Sequence, residues 1–82
     1  MREIVVDVRE LPAPEPLEKI LNTLPEIGEG SYMKVLHRME PALLFPILKQ
    51  NGFDFLLKKA GVVEVYIFLK RDALMQRYFK EA

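Results

Sequence analysis

His37 and Glu40, in the run HRMEP, are the residues of this 82-residue chain best suited to moving protons. Imidazole titrates near neutrality, and a carboxylate close by can orient or charge it, so the two have the makings of an acid and a base. Arg9, Glu10 and Arg38 would join them at one sheet edge if the strand before Arg9 and the strand before Arg38 lie side by side in the same direction. Ligands of such sheets favour the carboxyl ends of the strands. A metal at His37 is not expected, because one histidine with one or two carboxylates falls short of the three or four protein ligands of a zinc site. The plainer alternative is a structural His37, held by a carboxylate or a backbone group.

A second feature is the segment PAPEPLEKIL, which sets Pro12, Pro14 and Pro16 around Ala13 at the start of a helix. Proline suits a first helical turn, where the amide it lacks has no intrahelical acceptor. The prolines therefore shape a tight strand-to-helix turn with Ala13 in it. They also weaken anion capture at that helix end, since Pro14 and Pro16 donate no amide and Glu15 adds a negative charge. Attraction for an anion would have to come from Arg9 and Arg38.

Composition excludes several chemistries. The chain has no cysteine, which removes disulfides, thiolate metal sites and cysteine nucleophiles. Twelve basic residues balance twelve acidic ones, so no net field points to nucleic acid or to an anionic membrane. Lys58-Lys59 and Lys70-Arg71, with Tyr66 and Phe68 nearby, read as solvated strand ends rather than an RNA platform. No apolar run approaches the ~18 residues that a membrane span needs, and a cytoplasmic location is expected.

The elements that would position these residues follow from pattern and punctuation. EIVVDV, residues 3 to 8, is a β-branched strand. From Pro14, Leu17, Ile20, Leu21 and Leu24 recur at helical spacing until Pro25. After the turn-rich PEIGEGS comes the strand YMKVLHR, with Met33, Val35 and His37 on one face and Tyr32, Leu36 and Arg38 on the other. A second helix is expected from Pro41, carrying Leu43, Leu44, Ile47 and Leu48 inward and closing at Asn51-Gly52, with a kink or a short first turn at Pro46. Phe53, Phe55 and Leu57 alternate along one strand, and Val63, Val65, Ile67 and Leu69 along the next, making a hairpin. Asp72 would cap a last helix with Leu74, Met75, Tyr78 and Phe79 on one face.

The order strand, helix, strand, helix, strand, strand predicts an α+β fold: a two-layer α/β sandwich with a four-stranded mixed sheet and both main helices on one face. Residues 1–70 make the domain, and residues 71–82 are its C-terminal helical extension. Tyr32, Leu36, Tyr66 and Phe68 would leave the other sheet face partly apolar, to be covered by the terminal helix or by a second copy of the chain in a homodimer.

The segment DVRELPAPEPLEKIL resembles the signature of the TusA/SirA-like sulfur carriers, a strand ending in Asp-x-Arg followed by Leu-x-Cys-Pro-x-Pro at the first helix. Asp7, Arg9, Leu11, Pro14 and Pro16 match, and Ala13 stands where the carriers keep cysteine. The chain is more similar still to an uncharacterised prokaryotic family related to those carriers and sometimes fused to hemerythrin-like domains. PAPEP, His37 to Pro41, Pro46 and Gly52-Phe53 match its motifs in order, over roughly residues 3 to 70. The resemblance implies a fold without an assigned activity. It also implies that persulfide transfer is absent, because a carrier needs a thiolate at the helix start and Ala13 offers a methyl group.

The reading that follows is a non-enzymatic domain binding a protein partner or a small ligand at an edge formed by Arg9, Ala13, His37, Arg38 and Glu40, with no cofactor, no nucleic acid and no membrane. The alternative is a small redox or cofactor-dependent accessory enzyme using His37 and Glu40. A third reading is a structural subunit of a larger assembly, with the Tyr66 and Phe68 face as interface.

Overall fold

In a computed structural model, which describes residues 1–81, the chain runs β1 (Arg2–Asp7), α1 (Glu15–Thr23), a 3-10 turn (Leu24–Glu26), β2 (Ser31–His37), α2 (Leu44–Gln50), β3 (Phe53–Ala60), β4 (Val62–Leu69) and α3 (Ala73–Lys80). The four strands form one mixed sheet in the order β1-β2-β4-β3, with β1 parallel to β2 and the other neighbours antiparallel. The β1–β2 ladder pairs Arg2 with Ser31 through to Asp7 with Leu36, and the Val8 amide extends it by donating to the Leu36 carbonyl at 3.0 Å. That ladder brings the β1–α1 turn beside the end of β2.

Alternation decides the layers. Val6, Met33, Val35, Val63, Val65, Ile67 and Leu69 project from the sheet into one core with Ile20 of α1 and Leu44 and Leu48 of α2. Both main helices thus cover the same face, as the pattern predicts. Ile20, Leu44 and Leu48 are fully buried, and each contributes on the order of 1.5–3 kcal/mol by leaving water.

Helix α2 begins later than the spacing predicts, and proline is the reason. A helix from Pro41 would place Pro46 in its interior. Starting at Leu44 puts Pro46 in the first turn, where a missing amide costs no intrahelical bond. Pro41 to Leu43 instead form a separate turn, in which the Leu44 amide donates to the Pro41 carbonyl at 3.0 Å. Leu43, expected to face inward, is consequently 76% exposed. At the far end of α2, Gly52 adopts the left-handed conformation (φ +81°), which glycine alone adopts without strain.

The second sheet face is covered by α3. Phe79 stacks on Phe68 at 5.2 Å between ring centroids, and it meets Tyr66 at 5.2 Å and Tyr32 at 5.0 Å. Met75 and Phe68 are fully buried there. The inward stripe of α3 is narrower than its apolar content suggests. Met75 and Phe79 face the sheet, whereas Leu74 and Tyr78 remain more than half exposed. The helix has only 8 residues, and one sheet surface captures only one side of it.

Two carboxylates pin α3. Asp72 caps the helix by accepting from the Leu74 and Met75 amides at 3.1 and 3.2 Å, and its second oxygen accepts from the Gly30 amide at 2.8 Å. Asp54, nearly buried, accepts from Gln76 at 2.9 Å, Lys49 at 3.0 Å and the Phe55 amide at 2.8 Å, with Lys80 at 3.5 Å. Burial alone would raise the Asp54 pKa. The hydrogen bonds from Gln76, Lys49 and the Phe55 amide, joined by the Lys80 charge, outweigh it and hold the carboxyl far below its usual range.

Two outcomes follow from these anchors. Asp72→Ala should cost about 2 kcal/mol in denaturant unfolding, the sum of a lost cap and an unpaired Gly30 amide. Because the folded-state pKa of Asp54 is depressed, its stabilisation is fully present above the unfolded value of about 3.9 and is lost as pH falls below it. The stability gap between wild type and Asp54→Asn, followed by urea unfolding, should therefore be constant from pH 5 to 7 and should close on acidification below roughly pH 4.

Candidate functional site

The ladder between β1 and β2 places the turn after β1 against the chain leaving β2, and a cleft of about 470 Å³ opens between them. One wall is Leu11, Ala13, Pro14 and Pro16 with Leu17 and Ile20 of α1. The other is the end of β2 and the connection to α2, from His37 to Leu43. The walls are mainly apolar because prolines, alanines and aliphatic side chains line the turns. The first wall is built by local hydrogen bonds: Leu11 amide to Val8 carbonyl at 3.2 Å, and Glu15 amide to Pro12 carbonyl at 3.0 Å. The Ala13–Pro14 peptide bond within it is cis.

Four of the five residues singled out in the sequence line this cleft: Ala13, His37, Arg38 and Glu40. Arg9 does not. It sits two residues after Asp7, whose carboxylate takes its guanidinium at 2.7 and 2.9 Å and its backbone amide at 3.1 Å. That pairing draws the Asp7 carboxyl down to about 2, chiefly through the hydrogen bond from Arg9. Glu10 is outside the lining as well, and its charge acts on Arg9.

His37 is held at the cleft floor. It is 8% exposed, and its Nδ1 accepts from the Met39 amide at 3.2 Å as the chain turns out of β2. Accepting that bond requires an unprotonated Nδ1, so the neutral ring carries its proton on Nε2. Burial, and after it the Arg38 charge, lower the pKa of His37 below its ordinary value. The backbone contact expected of a structural histidine is therefore present, at a residue that also lines the cleft.

Glu40 is not His37's partner. Its carboxylate pairs with Lys59 of β3 at 2.9 Å. Arg38 reaches back across the cleft mouth and donates to the Leu11 carbonyl at 3.3 Å, tying one wall to the other. Met39 (66%) and Leu43 (76%) stand exposed at the rim as an apolar lip. Sequence reasoning missed this apolar lining, because it assigned Leu43 to the buried stripe of a longer helix.

A second concavity of about 460 Å³ lies on the opposite sheet face, among Glu3, Tyr32, Leu56, Lys58, Tyr66, Tyr78 and Phe79. Tyr32 donates to Glu3 at 2.7 Å and Tyr66 to Glu64 at 2.8 Å. The Glu3 bond in the first case, and burial followed by the Glu64 bond in the second, push both phenols up to about 12. No group of three or more acidic or histidine side chains suited to a metal ion is present among the described residues, and none of their helices is long and apolar enough to cross a membrane.

Fold and cleft together define a small α+β domain with a ligand-sized apolar hollow at the carboxyl ends of its two parallel strands. The model of an uncharacterized conserved protein family, DUF2249, matches residues 5–71, and the chain belongs to that family. The match spans both walls of the cleft and stops one residue short of Asp72, the cap of α3. No curated protein and no solved structure matches the chain.

The histidine environment has a direct readout. The His37 ring should titrate with a midpoint below 6.5 when its proton resonances are followed by NMR. Arg38→Gln should raise that midpoint only in part, because burial is the larger cause and survives the substitution.

Proposed function

We propose that this protein is a non-enzymatic binding domain that holds a small, largely apolar ligand in the cleft between the β1–α1 turn and the β2–α2 connection. The carrying observation is the cleft itself, whose volume of about 470 Å³ falls within the ~300–1,000 Å³ of small-molecule sites lined mostly by apolar groups with a few polar ones. Its position at the carboxyl ends of parallel strands is where sheets of this kind hold ligands. His37 supplies a neutral Nε2 donor and Arg38 a charged one.

Kinship with the TusA/SirA-like sulfur carriers is part of this proposal. Its support is the chain order, the proline-built turn and the position of Ala13, which precedes α1 and faces the cleft. A carrier thiol at this place would meet the ligand space directly. With a methyl group there, the scaffold retains a hollow and lacks the thiolate on which persulfide transfer depends.

The alternative of a small redox or cofactor-dependent accessory enzyme draws less support. An acid–base pair needs its members within hydrogen-bond reach of one another or of substrate, and Glu40 is engaged by Lys59 instead. A cytoplasmic location and a homodimer through α3 or the aromatic sheet face remain part of the proposal, with the exposed Leu74 and Tyr78 as the surface a second copy would use.

A neutral aromatic alcohol such as phenylbutanol, titrated into isotopically labelled protein, should shift the resonances of Leu17, Ile20 and Leu43 before any others. Ala13→Phe should fill the hollow and abolish those shifts while moving the melting temperature by only a few degrees, since Ala13 is exposed and outside the core. Shifts confined to the Tyr32 and Tyr78 surface would refute the assignment of the cleft.

A further inference from the structure

We propose that the ligand of this cleft is a monoanion, a carboxylate carried on an aromatic or branched hydrocarbon body, with Arg38 as the group that selects its charge. The proposal rests on the cleft being the binding site and adds the chemical class of what enters it.

Two charged residues line the hollow, Arg38 and Glu40, and only Glu40 is neutralised. Glu40 is matched by Lys59 at 2.9 Å, and Arg9 by Asp7 at 2.7 Å, with Glu10 acting on Arg9 as well. Glu15 lies in the first turn of α1, exposed and outside the lining. His37 adds a donor and no charge near neutral pH, since its ring resists protonation. Arg38, the other charged residue of the lining, forms no salt bridge among the described residues. Its one hydrogen bond, to the Leu11 carbonyl at 3.3 Å, leaves most of its five donors unused. That bond also holds the guanidinium across the opening, where a carboxylate entering behind an apolar body would meet it.

The same geometry argues against a more highly charged anion. A phosphate needs several convergent donors, commonly helix-terminal amides. The helix end beside this cleft offers Pro14 and Pro16, which have none, and carries Glu15. The walls are hydrocarbon, and one cation serves one carboxylate. Met39 and Leu43, exposed at the rim, extend the apolar surface over the body of such a ligand.

Three probes that share one hydrocarbon body separate charge from shape: phenylbutyrate, phenylbutanol and phenylbutylamine, each titrated into labelled full chain at low salt. The carboxylate should bind about tenfold more tightly than the alcohol, as expected for a charge-assisted contact at a partly exposed arginine, and the amine more weakly than either. Arg38→Gln should bring the carboxylate down to the affinity of the alcohol and leave the alcohol unchanged, with folding checked by its melting curve. Equal binding of all three probes, or tightest binding of the amine, overturns the anion assignment and leaves the apolar cleft standing. Absence of shifts at Leu17 and Ile20 with every probe overturns the cleft and this inference together.

Discussion

The parallel pairing of β1 with β2 is the constraint on which the rest depends. Two parallel neighbours cannot be joined by a tight turn, so the chain must cross over, and α1 is the crossover. The register from Arg2 opposite Ser31 to Asp7 opposite Leu36 sets both strands to end at nearly the same level. The turn leaving β1 and the connection leaving β2 therefore emerge side by side, the first with Pro12 and Pro14 and the second with Pro41. The two turns use their amides locally and leave a hollow between them, lined mainly with hydrocarbon, and the Arg38 contact to Leu11 spans it.

The other sheet face obeys a different logic. Its residues are aromatic and charged by turns, so a helix laid on it must satisfy both kinds. Phe79 and Met75 answer the rings, while Asp54 and Asp72 gather amides, lysines and a glutamine into two polar anchors at the margins. The family match ends at residue 71, yet α3 shields Phe68 and supplies the Gln76 and Lys80 partners of Asp54. The extension is thus part of this chain's core rather than an appendage. The face that α3 leaves bare is smaller than the Tyr32, Leu36, Tyr66 and Phe68 stripe implied.

Electrostatics divides the candidate site in a way composition conceals. A chain with balanced charges can still present a signed surface wherever one member of the balance lacks a near partner. Asp7 neutralises Arg9 because the two are two residues apart at the end of the strand, an arrangement decided locally. Lys59 neutralises Glu40 from another strand altogether. Arg38 lines the cleft with no ion-pair partner among the described residues, beside a histidine whose pKa burial lowers.

The elements themselves were legible in the sequence. β-branched runs, the 3.6-residue spacing of α1, proline at helix starts and glycine at turns each act over a few residues, so element order, the parallel β1–β2 pair, the β3–β4 hairpin and the shared face of α1 and α2 could be read from them, while the pairing of β4 with β2 came from the structure. The site was legible in part: Ala13, His37, Arg38 and Glu40 converge because topology brings them together. What the sequence could not show was which partner each long side chain would take. Arg9 was lost to Asp7, Glu40 to Lys59, and Leu43 to solvent once Pro46 had moved the start of α2. The first is a contact between near neighbours that strand alternation does not rank, whereas the Glu40–Lys59 pair joins residues far apart in the chain and the start of α2 turns on one proline's place in a helix, and the packed tertiary structure decides both.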